Sequence, residues 1–232
     1  MPVDSQDAQL TRVIAIRHGE TAWNAELRMQ GQLDTALSAR GRWQAGRVAA
    51  ALAGAGIEAI VASDLARAFD TARAIGERAG LAVETDAGLR ERSFGVFEGY
   101  TYAEIGERWP AEAARWRRHE PDFGPDEGET FRDFSARAVA AATRVAANHA
   151  GRSIAIVTHG GVLDCLYRAA SNIPLDAPRS WQLGNAAINR LLYTPRGFTL
   201  VGWSDTAHLD GEVPLDDASE GDAPVAASAR RA

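Results

Sequence analysis

Lysine is absent from this chain of 232 residues, so all 25 of its Lys and Arg positions are arginine. The absence excludes chemistry that needs a lysine amine: the phosphate-binding lysine of P-loop proteins, the Schiff base of pyridoxal enzymes and the ATP-binding lysine of protein kinases. A site for an anion must therefore use arginine, histidine, backbone N–H groups or a metal ion. A GC-rich genome would also produce this bias, but the chemical exclusion holds whatever its origin.

Cysteine is also scarce. The single residue Cys165 excludes an intramolecular disulfide bond and argues against a cysteine-rich zinc site. No apolar run approaches the roughly 20 residues that cross a bilayer, and the first ten residues lack the basic and apolar parts of a secretion signal. The formal net charge is −6, which does not favour broad nucleic-acid binding. We therefore expect a cytoplasmic protein that binds neither nucleic acid nor membrane.

Short apolar runs alternate with amphipathic segments along the chain. The runs "RVIAIR", "EAIVAS" and "SIAIVT" are rich in β-branched residues and nearly continuous, as is typical of strands buried on both faces. The segments between them have helical spacing, with Ser38 and Thr130 as candidate N-caps and Gly80 as a helix terminator. Two final strands joined by "PRG" predict an antiparallel hairpin. The pattern predicts an α/β fold, a three-layer α/β/α sandwich around a mostly parallel mixed sheet.

The domain organisation follows from the same pattern. We predict one domain over residues 11–209, because no linker separates two core-sized segments. Residues 1–10 and the tail at 210–232 are expected to be disordered, since they have little to bury. A helical stretch after Tyr100 is expected to restart at Pro110.

Charged side chains follow the predicted strands where each strand ends. Arg17 and His18 end the first, Arg67 follows the second, and His159 ends the third. Since the carboxyl ends of parallel strands lie at one edge of a sheet, these four side chains should meet there. Arginine binds phosphate oxygens through paired N–H groups, and helix N-termini add further donors. The sequence therefore predicts a pocket for a phosphate group.

Imidazole is a nucleophile near neutral pH, so a histidine in this pocket could attack phosphorus and form a phosphohistidine. A carboxyl group must then protonate the leaving oxygen, and its pKa rises when it lies beside a bound dianion. The stretch "LRERSFGVFEGY" supplies two candidates for this acid, Glu91 and Glu98.

Six stretches in order resemble the histidine phosphatase superfamily, also called phosphoglycerate-mutase-like proteins, from about Thr11 to Leu209. They are "RHGETAWN", "GQLDTALSARG", "SDLARAFDTA", "LRERSFGVFEG", "DEGETFRDFSAR" and "THGG". The resemblance implies that His18 is phosphorylated on Nε2 and that His159 donates a hydrogen bond to the phosphoryl group. It also implies that two arginines clamp this group and that one glutamate is the acid and base, namely Arg17, Arg67 and Glu91.

The resemblance extends to weaker candidates. It implies substrate contacts from four residues: Asn24, Gln30, Gly31 and Gly160. Thr21 and Glu129 are expected to support the groups that touch phosphate. Among the remaining histidines, His119 and His149 are expected to be solvated, and His208 to pack near the end of the domain.

Three functions remain open at this level. The favoured one is a phosphatase that hydrolyses phosphomonoesters of small metabolites, with neither a metal nor another cofactor. The second is a phosphoglycerate mutase. Mutases of this type resemble the phosphatases but carry a longer, basic insertion. In this chain a short helical cap is predicted instead, at about 100–128. The third is a non-catalytic module that binds a phosphate ligand. The substrate stays unidentified and a homodimer stays open.

One inference concerns the protonation of the two pocket histidines. His18 must be neutral to attack phosphorus, whereas His159 donates best as a cation. We therefore expect the site to separate the two pKa values, with the arginines keeping His18 uncharged and bound phosphate keeping His159 protonated.

Overall fold

The computed structural model describes residues 10–211. The disorder expected for residues 1–10 and 210–232 therefore falls almost entirely outside the described residues. Among residues 10–211, every helix is too short or too polar to cross a membrane.

A mixed sheet of six strands forms the centre of the described chain, in the order β3-β2-β4-β1-β5-β6. The strands are β1 Thr11–Arg17, β2 Ala59–Ala62, β3 Val83–Thr85, β4 Ser153–Thr158, β5 Ile188–Thr194 and β6 Gly197–Asp205. The strands β3, β2, β4 and β1 run parallel to one another, while β5 lies antiparallel to both β1 and β6. This arrangement confirms the mostly parallel mixed sheet and its terminal hairpin.

Seven α-helices connect and flank these strands in the described part of the chain. They are α1 Ala22–Ala25, α2 Ala39–Leu52, α3 Ala66–Ala79, α4 Tyr102–Arg108, α5 Pro110–Arg117, α6 Phe131–Asn148 and α7 Gly160–Ser171. The hydroxyls of Ser38 and Thr130 cap α2 and α6, each accepting a backbone N–H at 3.0 Å. Gly80 ends α3 in the left-handed conformation, at φ 69°. These three predictions of helix ends are confirmed.

The alternation of side chains along β1 explains the three layers. Val13 and Ala15 pack with α6 and α7 on one face of the sheet. Ile14 and Ile16 pack with α2 and α3 on the other. A strand covered on both faces needs apolar side chains at every position, which is why its sequence is a continuous run. The α/β/α sandwich is confirmed.

A third, smaller hydrophobic cluster lies over the carboxyl edge of the sheet. It is built on Phe97, Ile105 and Phe123, and the rings of Trp109 and Trp116 pack against it. The helices α4 and α5 both fall within the segment predicted as a cap, and α5 starts at the proline, as expected. The cluster forms one wall of a pocket at this edge of the sheet.

Candidate active site

The register of β1 and β4 brings two histidines together. Arg17 pairs with Thr158 across these parallel strands, so the next residue of each strand, His18 and His159, lies at the same edge. Their ring centroids are 5.2 Å apart. Both residues are buried, at 3% and 0% exposure. The fold therefore places the two imidazoles next to each other, as predicted.

The tautomer of His18 follows from its hydrogen bond. Its Nδ1 lies 2.7 Å from the carbonyl oxygen of Gly19, so Nδ1 carries the proton and donates it. The Gly19 backbone is held in turn by the Thr71 hydroxyl, which accepts from its N–H at 3.0 Å. Because Nδ1 is committed, Nε2 keeps its lone pair and is the nitrogen available for attack.

Two guanidinium groups flank these rings: Arg67 is buried, and Arg17 is half-buried. Arg67 donates to the carbonyl oxygens of Leu33 and Gly31 at 2.9 and 2.7 Å, and Arg17 donates through Nη1 to the carbonyl of Leu183. In each arginine the Nε group is buried and has no hydrogen-bond partner among residues 10–211. Buried cations with free donors cost free energy unless an anion binds them. The pair is therefore suited to hold a phosphoryl group.

His159 occupies the N-cap position of α7, and only one of its ring nitrogens has a hydrogen-bond partner within the described chain. Its Nε2 lies 2.8 Å from the hydroxyl of Ser63. Its Nδ1 is buried and unpaired among the residues described. An unpaired imidazole nitrogen at this position can donate to an anion once it is protonated.

Both imidazoles lie in surroundings that disfavour their protonation. Burial, followed by the charges of Arg67 and Arg17, lowers the pKa of His18 well below its ordinary value. Burial and the Arg67 charge also lower the pKa of His159. The direction agrees with the expectation that His18 is uncharged, but burial rather than the charge of the arginines is the largest cause. The two pKa values fall together here, so any separation of them has to come from bound phosphate.

We expect an NMR titration to detect this dependence on phosphate. At about pH 6, where an ordinary imidazole is mostly protonated, the ¹⁵N shifts of His18 and His159 should both report neutral rings. Saturating inorganic phosphate should protonate His159 and leave His18 neutral, because a dianion favours a charged neighbour. Spectra of the His18→Ala and His159→Ala variants assign the signals. Protonation of His18 on phosphate binding would contradict the account.

The structure distinguishes the two candidate acids. The carboxylate oxygens of Glu91 accept from the backbone N–H groups of Arg92 and Gly161, at 2.9 and 3.0 Å, and Glu91 lines the pocket with His18. The Glu98 carboxylate instead accepts from the N–H groups of Gln32 and Phe94, at 3.1 and 2.9 Å. Glu98 thus fastens two loops together, and Glu91 is the carboxylate that faces the pocket.

The two glycines that open α7 differ in the space around them. A Cβ at Gly161 would lie 2.2 Å from a carboxylate oxygen of Glu91, whereas one at Gly160 would lie 3.5 Å from Arg17, an ordinary contact. We expect Gly161→Ala to displace Glu91 and to lower kcat/KM at least about tenfold for an alkyl phosphomonoester. Gly160→Ala is the matched variant, and its loss should be smaller. Equal losses would show that the contact with Glu91 has no consequence.

The weaker candidates for substrate contact also line the pocket, namely Asn24, Gln30, Gly31 and Gly160. The side-chain oxygen of Asn24 accepts from the Thr21 N–H at 3.1 Å, and that of Gln30 accepts from the Thr21 hydroxyl at 2.9 Å. Because these oxygens already accept hydrogen bonds, the amide NH₂ groups are available to donate to a ligand. Gly31 has φ +55°, and a Cβ there would overlap Glu98 at 2.0 Å.

Thr21 and Glu129 support this arrangement without entering the pocket lining. Thr21 is buried and orients both amides. The Glu129 carboxylate accepts from the Ser93 N–H at 2.9 Å and pairs with Arg137 at 2.7 Å. Arg137 in turn donates to the Glu91 carbonyl at 3.3 Å. This chain of contacts holds the loop that carries Glu91.

The pocket has a volume of about 460 Å³, which far exceeds the space that a phosphoryl group needs. Sequence reasoning missed much of its wall, which comes from the segment after α1, the loop that carries Glu91, the cap, α7 and the loop before β5. The missed lining residues include Arg28, Arg92, Tyr102, Asp164, Arg179 and Trp181. Apart from Arg92, which lies in "LRERSFGVFEG", these residues lie outside the recognised motifs, and only the packing of distant segments brings them together.

The remaining histidines lie outside the catalytic pair. His119 is exposed, as expected, but it lies in a turn after α5 at φ 52° rather than on a helix, and it also lines the pocket. His149, expected to be solvated, is half-buried at the end of α6, with Nδ1 2.8 Å from the Val145 carbonyl. His208 packs near the end of the domain, as expected, with Nε2 3.0 Å from the Ala186 carbonyl.

Comparison with known proteins agrees with this geometry. Residues 13–206 match the family model of the histidine phosphatase superfamily (branch 1). The chain is 37% identical over 189 residues to glucosyl-3-phosphoglycerate phosphatase of Mycobacterium tuberculosis, covering 78% of this chain and 84% of the relative. It is also 37% identical over 210 residues to a probable phosphoglycerate mutase, GpmB, of Klebsiella pneumoniae, covering 87% and 96%. The solved structure of Bacillus stearothermophilus YhfR superimposes with a TM-score of 0.81 at 32% identity, covering 86% and 100%.

This chain belongs to the histidine phosphatase superfamily, as its motifs indicate. It is a phosphatase of small phosphorylated metabolites, that is, a phosphoric monoester hydrolase. The relatives support a phosphoglycerate mutase less strongly than they support a phosphatase.

Proposed function

We propose that the phosphatase acts through a covalent phosphohistidine at His18. The observation that carries this proposal is the convergence of an oriented His18 imidazole, whose pKa is lowered by burial and by nearby arginine charge, with the guanidiniums of Arg17 and Arg67. The imidazole supplies the nucleophile, and the arginines supply fixed positive charge where the phosphoryl oxygens must lie.

In the first step, Nε2 of His18 attacks phosphorus, the P–N bond forms and the P–O bond to the leaving group breaks. The electron pair of that bond goes to the leaving oxygen, which takes a proton from Glu91. Arg17 and Arg67 stabilise the equatorial phosphoryl oxygens throughout, and His159 donates to one of them. The fixed donors need no rearrangement as charge develops, which is the source of their catalytic effect.

In the second step, water attacks the phosphohistidine in line with the P–N bond. Glu91, now ionised, accepts a proton from this water as the P–O bond forms. The P–N bond breaks, its electron pair returns to Nε2 of His18, and inorganic phosphate leaves. Glu91 thus acts first as acid and then as base, so each turnover restores the starting protonation of the site.

The other assignments of the site belong to the same proposal. The amide NH₂ groups of Asn24 and Gln30 and the backbone at Gly31 and Gly160 contact the substrate at its phosphate end. A small phosphomonoester is the partner, and no metal or other cofactor enters the reaction. We also propose that the protein is cytoplasmic. A homodimer is one option for its assembly.

Two assays separate this function from its alternatives. We expect wild-type protein to hydrolyse p-nitrophenyl phosphate and to release inorganic phosphate from 3-phosphoglycerate without forming 2-phosphoglycerate. The cap is short, so the site is open to the water that a mutase must exclude. Interconversion of the phosphoglycerates faster than phosphate release would establish the mutase instead. Failure to turn over either compound while phosphate still binds would establish a binding module.

A further inference from the structure

The loop that precedes β5 holds the end of β1 through its backbone. The Leu183 carbonyl accepts from Arg17 Nη1, and the Ala187 carbonyl accepts from the Arg17 N–H at 3.3 Å. The Ala186 N–H lies 3.1 Å from the carbonyl oxygen of Arg17 and 3.2 Å from that of His18 and donates to both. A segment distant in sequence therefore positions the proposed nucleophile and one of the arginines beside it.

The path of this loop is itself held from outside the pocket. The indole Nε1 of Trp203 donates to the Gln182 carbonyl at 3.0 Å, and His208 Nε2 lies 3.0 Å from the Ala186 carbonyl. Ala186 adopts a φ of 58°, a left-handed conformation that costs free energy for any residue with a Cβ. Such a conformation persists only where the surrounding contacts impose it, so the loop reaches the end of β1 in a fixed conformation.

The side chain of Asn185 joins two residues of the active site. Its Nδ2 donates to the carbonyl of His18 at 3.1 Å and to the side-chain oxygen of Asn24 at 3.2 Å. An amide NH₂ has two hydrogens, so one group can make both bonds. Since a backbone carbonyl only accepts, the His18 carbonyl determines which end of the Asn185 amide faces it. One planar group thereby links the nucleophile to a residue that lines the pocket.

The Asn24 amide is held from two directions. Its oxygen accepts from the N–H of Thr21, in its own turn, at 3.1 Å, and from Asn185 in the distant loop. Its NH₂ group is left to donate to a phosphoryl group. Asn185 is not among the described residues that line the pocket, so its effect on a substrate must pass through its partners. A displacement of about 1 Å in a group that meets the reacting atoms is enough to lower a rate strongly.

We propose that Asn185 is a positioning residue, whose amide fixes the Asn24 side chain relative to His18 so that Asn24 donates to the same phosphoryl group that Nε2 attacks. The inference rests on the proposed function, because it takes His18 as the nucleophile. Without the Asn185 N–H groups, the guanidiniums of Arg17 and Arg67 stay in the site while the Asn24 amide loses its link to the nucleophile.

A double-mutant cycle on p-nitrophenyl phosphate tests this role. Asn185→Ala should lower kcat/KM at least about fivefold in the wild-type background. In the Asn24→Ala background it should cost no more than about twofold, because the group that Asn185 positions is already absent. The loss in the first background should exceed that in the second at least about 2.5-fold, and a smaller ratio would overturn the inference. A partial loss of folded protein lowers activity equally in both backgrounds, so it cannot produce this coupling.

Two further variants tie the coupling to the Asn185 N–H groups. Asn185→Asp keeps the shape of the side chain but replaces the donor NH₂ with oxygen, so kcat/KM should again fall at least about fivefold. A smaller fall would show that the residue only fills space. The matched control is Asn189→Ala. Asn189 donates to the Ala15 carbonyl of β1 at 3.0 Å but bonds neither His18 nor Asn24, so its effect should be the same with and without Asn24→Ala. Equal coupling for Asn185 and Asn189 would also overturn the inference.

The same samples keep this inference separate from the proposed function. Wild-type protein quenched during turnover should carry phosphate on His18. If that label is present and the effects of Asn185→Ala and Asn24→Ala simply multiply, only the positioning role is wrong. If wild type turns over without the label, the proposed function fails, and this inference fails with it.

Discussion

Replacing His18 with alanine is expected to lower kcat/KM by on the order of 10⁴-fold or more for every phosphomonoester, because it removes the atom that forms the covalent bond. The variant keeps Arg17, Arg67 and His159, so it should still bind inorganic phosphate. Steady-state kinetics measure the first effect and isothermal titration calorimetry the second. Retained binding distinguishes a lost nucleophile from a collapsed site.

The matched control for this variant is His149→Ala, which removes a histidine at the end of α6 outside the pocket lining. Its kcat/KM should stay within about twofold of wild type. If the His18→Ala variant kept activity within tenfold of wild type, water would be attacking phosphorus directly, and the covalent mechanism would be wrong.

Glu91→Gln should produce a loss that depends on the leaving group. For an alkyl phosphomonoester, kcat/KM should fall about 10³-fold, because an alkoxide cannot leave without a proton. For p-nitrophenyl phosphate the fall in kcat/KM should be much smaller, because p-nitrophenolate leaves as a stable anion without a proton. The missing base of the second step does not lower kcat/KM, because kcat/KM reports only the steps up to formation of the P–N bond. The second step still lacks its base, so phosphoenzyme should accumulate with this substrate. Stopped-flow and chemical-quench kinetics measure both effects.

Glu98→Gln is the control for that experiment. Its amide oxygen can still accept from the N–H groups of Gln32 and Phe94, so the two loops should stay fastened. Its kcat/KM should change by no more than a few-fold, to the same extent with alkyl and nitrophenyl substrates. A leaving-group-dependent loss in Glu98→Gln but not in Glu91→Gln would exchange the roles of the two glutamates.

The absence of lysine gives this site a particular electrostatic character. Burial lowers the pKa of Arg17 and of Arg67, but a guanidinium starts from so high a value that it remains charged in proteins. A buried lysine could lose its proton under the same conditions. The positive charge that, after burial, lowers the pKa of His18 is therefore constant over the working pH range.

The catalytic edge of the sheet could be predicted from sequence because it depends on local pattern and on one rule of topology. Arg17, His18 and His159 lie at the ends of apolar runs, and parallel strands place the residues at their carboxyl ends along one edge. The choice between Glu91 and Glu98 could not be made from the residues alone, because both lie in one loop. That choice depends on which carboxylate the N–H of Gly161 holds, a contact between segments 70 residues apart.

The far wall of the pocket was beyond sequence reasoning for the same physical reason. In the sequence, Asp164 is an ordinary polar residue of a helix, and Trp181 lies in a loop without a recognisable motif. The two residues come together in the pocket lining only because Arg168 holds this loop against α7. His119 was misplaced because the helix preceding it ends earlier than its polar sequence suggests, at Arg117.

The most direct measurement is the position of the phosphoryl group during turnover. Wild-type protein mixed with p-nitrophenyl phosphate and quenched in alkali within milliseconds should carry one phosphate per chain, and peptide mapping by mass spectrometry should locate it on His18. Prior replacement of His18 by alanine should remove the label. A wild-type enzyme that turns over rapidly yet carries no phosphate, or carries it on His159, would contradict the central claim.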